Sequence, residues 1–256
     1  MEIGKGRIAI IPCAGNAKRM GDIGVPKSLY QIKGKPALVN LLKKLDSFFS
    51  FFYIPISNKA GYESLFKDAI PSKYLKKIKF VQSKSGSGDG QAVLDALKLI
   101  KKGSISNYVF ICWGDTYIRD ASVIESLLTE VEGNFVEDLI IPTRKVKNPY
   151  VRYFHDQENN LTKVDFSRRG QLHVKGLTDL SIFFIKAAPV QEYLKILKNS
   201  KRYLEDEELN FLDLVELLFS LSKPAKTFEV KSHIKINSFN TVTEASDIIN
   251  QLKLED

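Results

Sequence analysis

Short apolar runs alternate along this chain with longer stretches whose apolar positions recur every three or four residues. The first kind has the length of buried strands, the second the spacing of one helical face. Arg7–Cys13 predicts a first strand. Pro36 then opens a helix with Leu38, Leu41, Leu42, Leu45, Phe48 and Phe49 on one side, proline being tolerated where a helix begins. Phe51–Ile56, Ile78–Val81 and Tyr108–Trp113 predict further strands. Helices are expected over Gly90–Lys101 and around Val123, Ile124, Leu127, Leu128 and Val131. Such an order defines an α/β fold whose sheet is mixed, mostly parallel and flanked by helices.

After Leu139–Pro142 the rhythm changes. Tyr150–His155 and Leu161–Asp165 flank the turn-forming Glu158-Asn159-Asn160, which predicts an antiparallel hairpin insertion. Leu180–Ile185 and Thr227–Val230 read as strands, and Pro189–Asn199, Glu208–Leu221 and Thr243–Lys253 as helices. With no internal repeat, low-complexity tract or linker, one domain over residues 1–256 is expected.

Composition narrows the class. The chain has 256 residues, 44% of them hydrophobic, enough for a sizeable core. Its apolar runs fall short of the roughly 20 residues that span a bilayer, and the start, MEIGKGRIAIIP, is too short in apolar residues for a signal peptide. Cys13 and Cys112 both lie in apolar runs and form no metal-site spacing, which fits buried thiols in a reducing cytoplasm. The net charge of +8 favours anionic partners. Its lysines are scattered over expected helix faces, however, and no basic helix or aromatic motif supports nucleic-acid binding.

The first strand empties into PCAGNAKRMGDIGVPKSL (Pro12–Leu29), a polar loop with Gly15, Gly21 and Gly24 and the cations Lys18, Arg19 and Lys27. Glycines let the backbone turn and expose N–H groups, cations add charge, and together they suit a polyphosphate at the carboxyl end of a strand. Gly86–Gly90 (GSGDG), Gly114-Asp115 and Asn237–Asn240 stand at other strand ends or in the loops that follow them, the edge where open parallel sheets bind ligands. The GSGDG segment reads equally as an anion or base contact and as a plain flexible entry to a helix. Asp115 follows a buried-type strand, so its carboxylate needs water, a cation or a donor, or caps the turn. His155, His173 and His233 are isolated. Walker A, dinucleotide, GxSxG and HExxH patterns are all absent.

The run AGNAKRM followed by PKSL resembles the signature loop of the sugar-phosphate nucleotidyltransferases. IKGKPAL (Ile32–Leu38) is similar to that family's continuation into its first helix, and GDGQAV (Gly88–Val93) to its base-recognition loop. Gly114-Asp115 and FNTVTEA (Phe239–Ala245) resemble the two metal-binding segments, and the matches keep their order over nearly the whole chain. The resemblance implies a GT-A-like nucleotidyltransferase fold in which residues 1–120 mainly bind nucleotide and 140–240 mainly bind the acceptor. It implies a cytoplasmic enzyme that joins a nucleoside triphosphate to a sugar 1-phosphate or similar small phosphorylated acceptor, with release of pyrophosphate. Arg19 would then steady the triphosphate and Lys27 the reacting phosphates. Ala14, Gly15, Asn16, Gln82, Gly88, Asp89 and Gly90 would bind the nucleotide, Asp165 and Asp179 the acceptor, and Asp115 and Asn240 would hold Mg²⁺. Neither membrane nor nucleic acid is implied as a partner; a homo-oligomer is compatible with the family.

Some positions depart from the family pattern. Ala17 replaces a glycine, Asp89 stands where threonine often reads the base, and Asp165 and Asp179 replace the usual Glu and Asn of the acceptor site. These changes keep two alternatives open: a non-catalytic nucleotide-binding regulator on the same fold, or a cytidylyltransferase for a non-sugar phosphate such as phosphocholine. No left-handed β-helix follows the domain, so a bifunctional acetyltransferase is not expected of this polypeptide.

Overall fold

Along the first strand, Ala9 joins one apolar core while Ile8 and Ile10 join another, the two-residue period of a strand buried on both faces. A computed structural model describes residues 6–15, 18–21, 23–100, 108–158, 160–166, 175–200, 208–223, 225–231 and 234–253. Asn16, Ala17, His173 and His233 lie outside the described residues.

In chain order, Ile8–Ile10 (β1) leads to a hairpin of Gln31–Ile32 (β2) and Lys35–Pro36 (β3), then the helix Ala37–Leu45 (α1). Phe51–Ser57 (β4), Tyr62–Ala69 (α2), Ser72–Leu75 (α3), Ile78–Ser83 (β5), Asp89–Leu97 (α4) and Val109–Cys112 (β6) follow. Next come Thr116–Ile118 (β7), Ser122–Asn134 (α5), Leu139–Val146 (β8), Val151–His155 (β9), Leu161–Phe166 (β10), Gly176–Asp179 (β11) and Ile182–Ile185 (β12). Ala187–Lys198 (α6), Leu214–Ser220 (α7), Lys226–Glu229 (β13), Ile236–Ser238 (β14) and Val242–Lys253 (α8) complete the described elements.

The main sheet runs β10-β9-β11-β8-β12-β6-β1-β4-β5, with β13 alongside β8. Strands β6, β1, β4 and β5 are parallel neighbours, and β13 is parallel to β8. From β12 outward the path through β8, β11, β9 and β10 is antiparallel, and β9 and β10 form the expected hairpin. The sheet is therefore mixed, as the alternation of elements predicts. The first strand is shorter than Arg7–Cys13, yet its pairing direction continues: the Ile11 N–H donates to the Tyr53 carbonyl at 2.9 Å and the Cys13 N–H to the Pro55 carbonyl at 2.7 Å.

Helices α1, α2 and α5 pack one face, around Phe52, Phe110 and Phe184. Helices α4, α6 and α7 pack the other, around Ile10, Ile111 and Phe183. Each such phenylalanine removed from water is worth about 1.5–3 kcal/mol, so the strands are held from both sides and their carboxyl ends are rigid supports. A small third core of Met20, Ile32, Ala37, Phe239, Ala245 and Ile248 fastens α8 to the β2–β3 hairpin. Among the described residues, no helix is long and apolar enough to cross a membrane.

Candidate active site

A cleft of about 460 Å³ opens at the edge where parallel β6 meets antiparallel β12. Because Cys112 pairs with Ile182, the residues that leave β6 and those that enter β12 emerge side by side. The Trp113 N–H donates to the Ser181 carbonyl at 3.2 Å. One wall thus comes from loops after parallel strands, and the other from residues just before an antiparallel one.

The floor is built by close backbone contact. The Gly114 N–H donates to the Pro12 carbonyl at 3.2 Å, and a Cβ on Gly114 would stand 2.3 Å from Cys13 Sγ. Only glycine lets the two loops touch there. Asp115 follows, 7% exposed. The Lys27 ammonium is ion-paired to Asp115 Oδ2 and donates to Asn240 Oδ1 at 3.4 Å. Strand β14 pairs with β7, Ser238 opposite Thr116, which carries Asn240 back beside Asp115. Asn240 is fixed by the start of α8, where the Thr241 hydroxyl accepts the Glu244 N–H at 3.2 Å and the Glu244 carboxylate takes the Asn240 N–H. That is a variant of the capping box. Burial pushes the Cys13 thiol up to about 12, so it stays a neutral wall of the floor.

Ala14, Gly15, Gly88 and Asp89 line the cleft, together with Lys84, Ser87 and Asn210. The 86–90 loop is clamped by a distant segment. Leu209 donates its N–H to the Ser87 carbonyl at 2.9 Å and accepts the Gly90 N–H at 2.8 Å, while the Phe211 N–H donates to Asp89 Oδ1 at 2.8 Å. A Cβ on Gly88, whose φ is +92°, would lie 2.2 Å from the Leu209 carbonyl oxygen. These glycines therefore admit a neighbouring backbone, and Gly90 is buried behind the cleft with its N–H engaged. Gln82 is not among the lining residues; its amide donates to Glu63 Oε2 at 2.8 Å.

On the opposite wall, Thr178, Asp179 and Ser181 line the cleft. Asp179 Oδ2 accepts the Tyr153 hydroxyl at 3.0 Å and Oδ1 accepts the Ser181 N–H at 2.7 Å. Loss of water raises the Asp179 pKa above the ordinary carboxylate value, against the opposing pull of these donors and of Arg144. The same burial, with Asp179 beside it, raises Tyr153 well above the usual phenol. Ser181 and Ser238 join hydroxyls at 3.0 Å, tying this wall to the strand before Asn240. Asp165 stands apart on β10, paired with Lys163 Nζ at 2.8 Å, and does not line the cleft.

The structure thus gathers Ala14, Gly15, Arg19, Lys27, Gly88, Asp89, Asp115, Asp179 and Asn240 around one cleft. It adds Trp113 and Ser181, chain neighbours of Gly114-Asp115 and of Asp179, and Tyr150 and Asn210, which stand outside any motif. No group of three or more His, Cys, Asp or Glu suited to a metal occurs among the described residues. Asp115 and Asn240 nonetheless offer two oxygens to one common cation, the Lys27 ammonium. Two protein oxygens completed by water and phosphate are the kind of donor set Mg²⁺ accepts.

The cleft thus lies at a switch in strand direction, the edge where open α/β sheets bind ligands. The family comparison is direct: residues 9–163 match the MobA-like NTP transferase domain, and the chain belongs to that family. This bears out the resemblance drawn from the glycine-basic loop. The bifunctional protein GlmU of Methanocaldococcus jannaschii is 25% identical over 206 residues, covering 77% of this chain and 45% of that protein. The chain therefore spans less than half the length of that curated relative. Among solved structures, HddC from Yersinia pseudotuberculosis complexed with GMP-PN superposes with a TM-score of 0.67 at 18% identity, over 96% of this chain and 99% of that one. The inositol-1-phosphate CTP transferase from T. maritima gives 0.70 at 15% identity, over 98% and 97%. At these identities the two structures establish the fold.

Proposed function

We propose that the protein is a Mg²⁺-dependent nucleotidyltransferase that joins a nucleoside triphosphate to a sugar 1-phosphate or a similar small phosphorylated acceptor, in the cytoplasm. The observation that carries this reading is the Lys27 ammonium lying between the Asp115 and Asn240 oxygens, at the foot of the glycine-basic loop. The likeness to an inositol-1-phosphate CTP transferase, named for a phosphorylated polyol and a nucleoside triphosphate, and to HddC complexed with GMP-PN supports the same reading. Residues up to about 120 would bind mainly the nucleotide, and 140–240 mainly the acceptor.

A phosphate oxygen of the acceptor attacks the α-phosphorus, the α–β bridging P–O bond breaks, and pyrophosphate leaves with the electron pair. The nucleophile is already an anion, so no general base is needed; alignment and charge compensation supply the rate. Lys27 sits where it can hold the α-phosphate and the acceptor phosphate together, while Arg19 at the cleft mouth takes the departing end. Asp115 and Asn240 would hold Mg²⁺, which supplies Lewis-acid charge to the phosphate oxygens when bound. Asp179, held by Tyr153 and Ser181, accepts hydrogen bonds from the body of the acceptor.

The test is pyrophosphate release, measured for each triphosphate against a panel of phosphorylated sugars, polyols and phosphocholine, with and without chelator. Release that needs Mg²⁺ and both substrates is expected. Triphosphate binding without release under any acceptor would sink the catalytic reading in favour of a nucleotide sensor.

A further inference from the structure

Arg19 and Tyr150 come from opposite walls of the cleft, 131 positions apart in the chain, and meet across its mouth. Arg19 Nη1 donates to the Tyr150 hydroxyl at 2.8 Å, and the guanidinium carbon lies 5.1 Å from the centre of the Tyr150 ring. The turn that bears Arg19, Lys18–Met20, is anchored by Met20, which is 5% exposed in the small core with Ile32 and Phe239. Arg19 itself is exposed. Tyr150 stands in the bend between β8 and β9, next to cleft-lining Val151. The backbone of the arginine is thus fixed by its neighbour, and the far end of its side chain by a residue from the acceptor wall.

We propose that Tyr150 is a positioning residue for Arg19, holding the guanidinium at the cleft mouth for the anionic end of the triphosphate. The inference rests on the nucleotidyltransferase reading of the cleft. A free arginine side chain carries about 2 kcal/mol of rotamer entropy, which an anion would have to overcome on binding. Tyr150 settles that cost in the unliganded protein, as preorganisation does generally. The phenol engages one of the five guanidinium donors, and phosphate oxygens call on the others. A tyrosine suits the task because the neutral hydroxyl accepts a hydrogen bond without neutralising the cation. A carboxylate at the same place would compete with phosphate for the charge.

A double-mutant cycle tests this by binding rather than turnover. Inorganic pyrophosphate, ATP, GTP, CTP and UTP are titrated with Mg²⁺ into the full chain and into Tyr150→Phe, Tyr150→Ala, Arg19→Ala and the two double variants. Loss of one hydrogen bond to a charged group at an exposed site predicts about 3- to 10-fold weaker binding of pyrophosphate and of the preferred triphosphate by Tyr150→Phe. Tyr150→Ala, which also loses the ring, should weaken it further. In the Arg19→Ala background both tyrosine substitutions should have no effect, because Tyr150 acts through Arg19. Melting temperatures without ligand should stay within a degree or two in the single tyrosine variants. An equal loss in the Arg19→Ala background, no loss at all, or tighter binding by Tyr150→Phe would overturn the proposal. A wild-type chain that binds these anions but releases no pyrophosphate removes the catalytic reading alone, and the cycle still decides the role of Tyr150. A chain that binds none of them overturns both.

Discussion

Asp89 accepts a hydrogen bond from the backbone N–H of Phe211 across 122 positions of sequence, at 2.8 Å. This carboxylate of the 86–90 loop, which lines the cleft, therefore also anchors a second wall of it. Replacing it by alanine leaves that N–H without its partner, and a stability loss of about 1–3 kcal/mol is expected. Asp89→Asn keeps an oxygen acceptor and should lose less. Urea unfolding of the two variants checks the order; equal losses would show that the bond contributes nothing specific.

Gly88 gives a sharper case. A methyl group there meets the Leu209 carbonyl at 2.2 Å, on a backbone with φ of +92°. Gly88→Ala must push the 208–211 segment away or distort the loop, at a cost of roughly 2–4 kcal/mol. The melting temperature should drop, and the triphosphate-induced shift should shrink with it. Gly15, with no atom within 4 Å of an added Cβ, should tolerate alanine with little change in melting temperature.

Lys27 and Asp115 are predicted to be needed for chemistry in different ways. Lys27→Ala should lower pyrophosphate release by at least about 100-fold, the scale of losing one group that stabilises transition-state charge. It also leaves Asp115 buried without its cation, for about 1–3 kcal/mol of stability, less than a fully buried pair because Lys27 is partly exposed. Added Mg²⁺ should then raise the melting temperature of Lys27→Ala more than that of the wild type. Asp115→Asn should abolish that metal-dependent rise, which a thermal-shift titration reads directly.

His155 supplies a pH-dependent prediction. Its ring lies 2.8 Å from the Thr227 hydroxyl, and burial, helped by Lys226, lowers its pKa below the ordinary 6.5 although Asp156 opposes the shift. The unfolded chain therefore takes up a proton first as pH falls. Stability from this residue is present above about pH 6.5 and is lost as pH falls toward the lowered native value. His155→Gln should flatten that part of the stability curve, measured by urea unfolding between pH 7.5 and 5; an unchanged slope would refute the assignment.

The fold was legible where burial leaves a strong pattern. The strands β1, β4, β6 and β12 are almost wholly apolar, and α1 buries one continuous face. Helix α2 leaves no apolar stripe in the sequence because Phe66 is its one buried side chain, and β11 leaves no alternation because each of its residues is half-buried. In the cleft, the glycine-basic loop was readable since polyphosphate chemistry concentrates glycines and cations in one segment. The 86–90 loop was only partly readable. Its glycines suit an anion or a base edge equally well, and nothing local to them announces Leu209. Tyr150 and Asn210 carry no motif; they reach the site through strand pairing and through a backbone clamp that no short window contains.

Lys27 and Asn240 touch although 213 positions separate them, and the family match ends at residue 163, before Asp179, Asn210 and Asn240. For contacts of such sequence separation the chain must meet the entropy of closing a large loop before the contact rewards it. Triphosphate binding should therefore appear with the last phase of refolding, after most helical structure has returned. A ligand-binding signal from this protein consequently reports folding from the glycine-basic loop through to the helix that fixes Asn240.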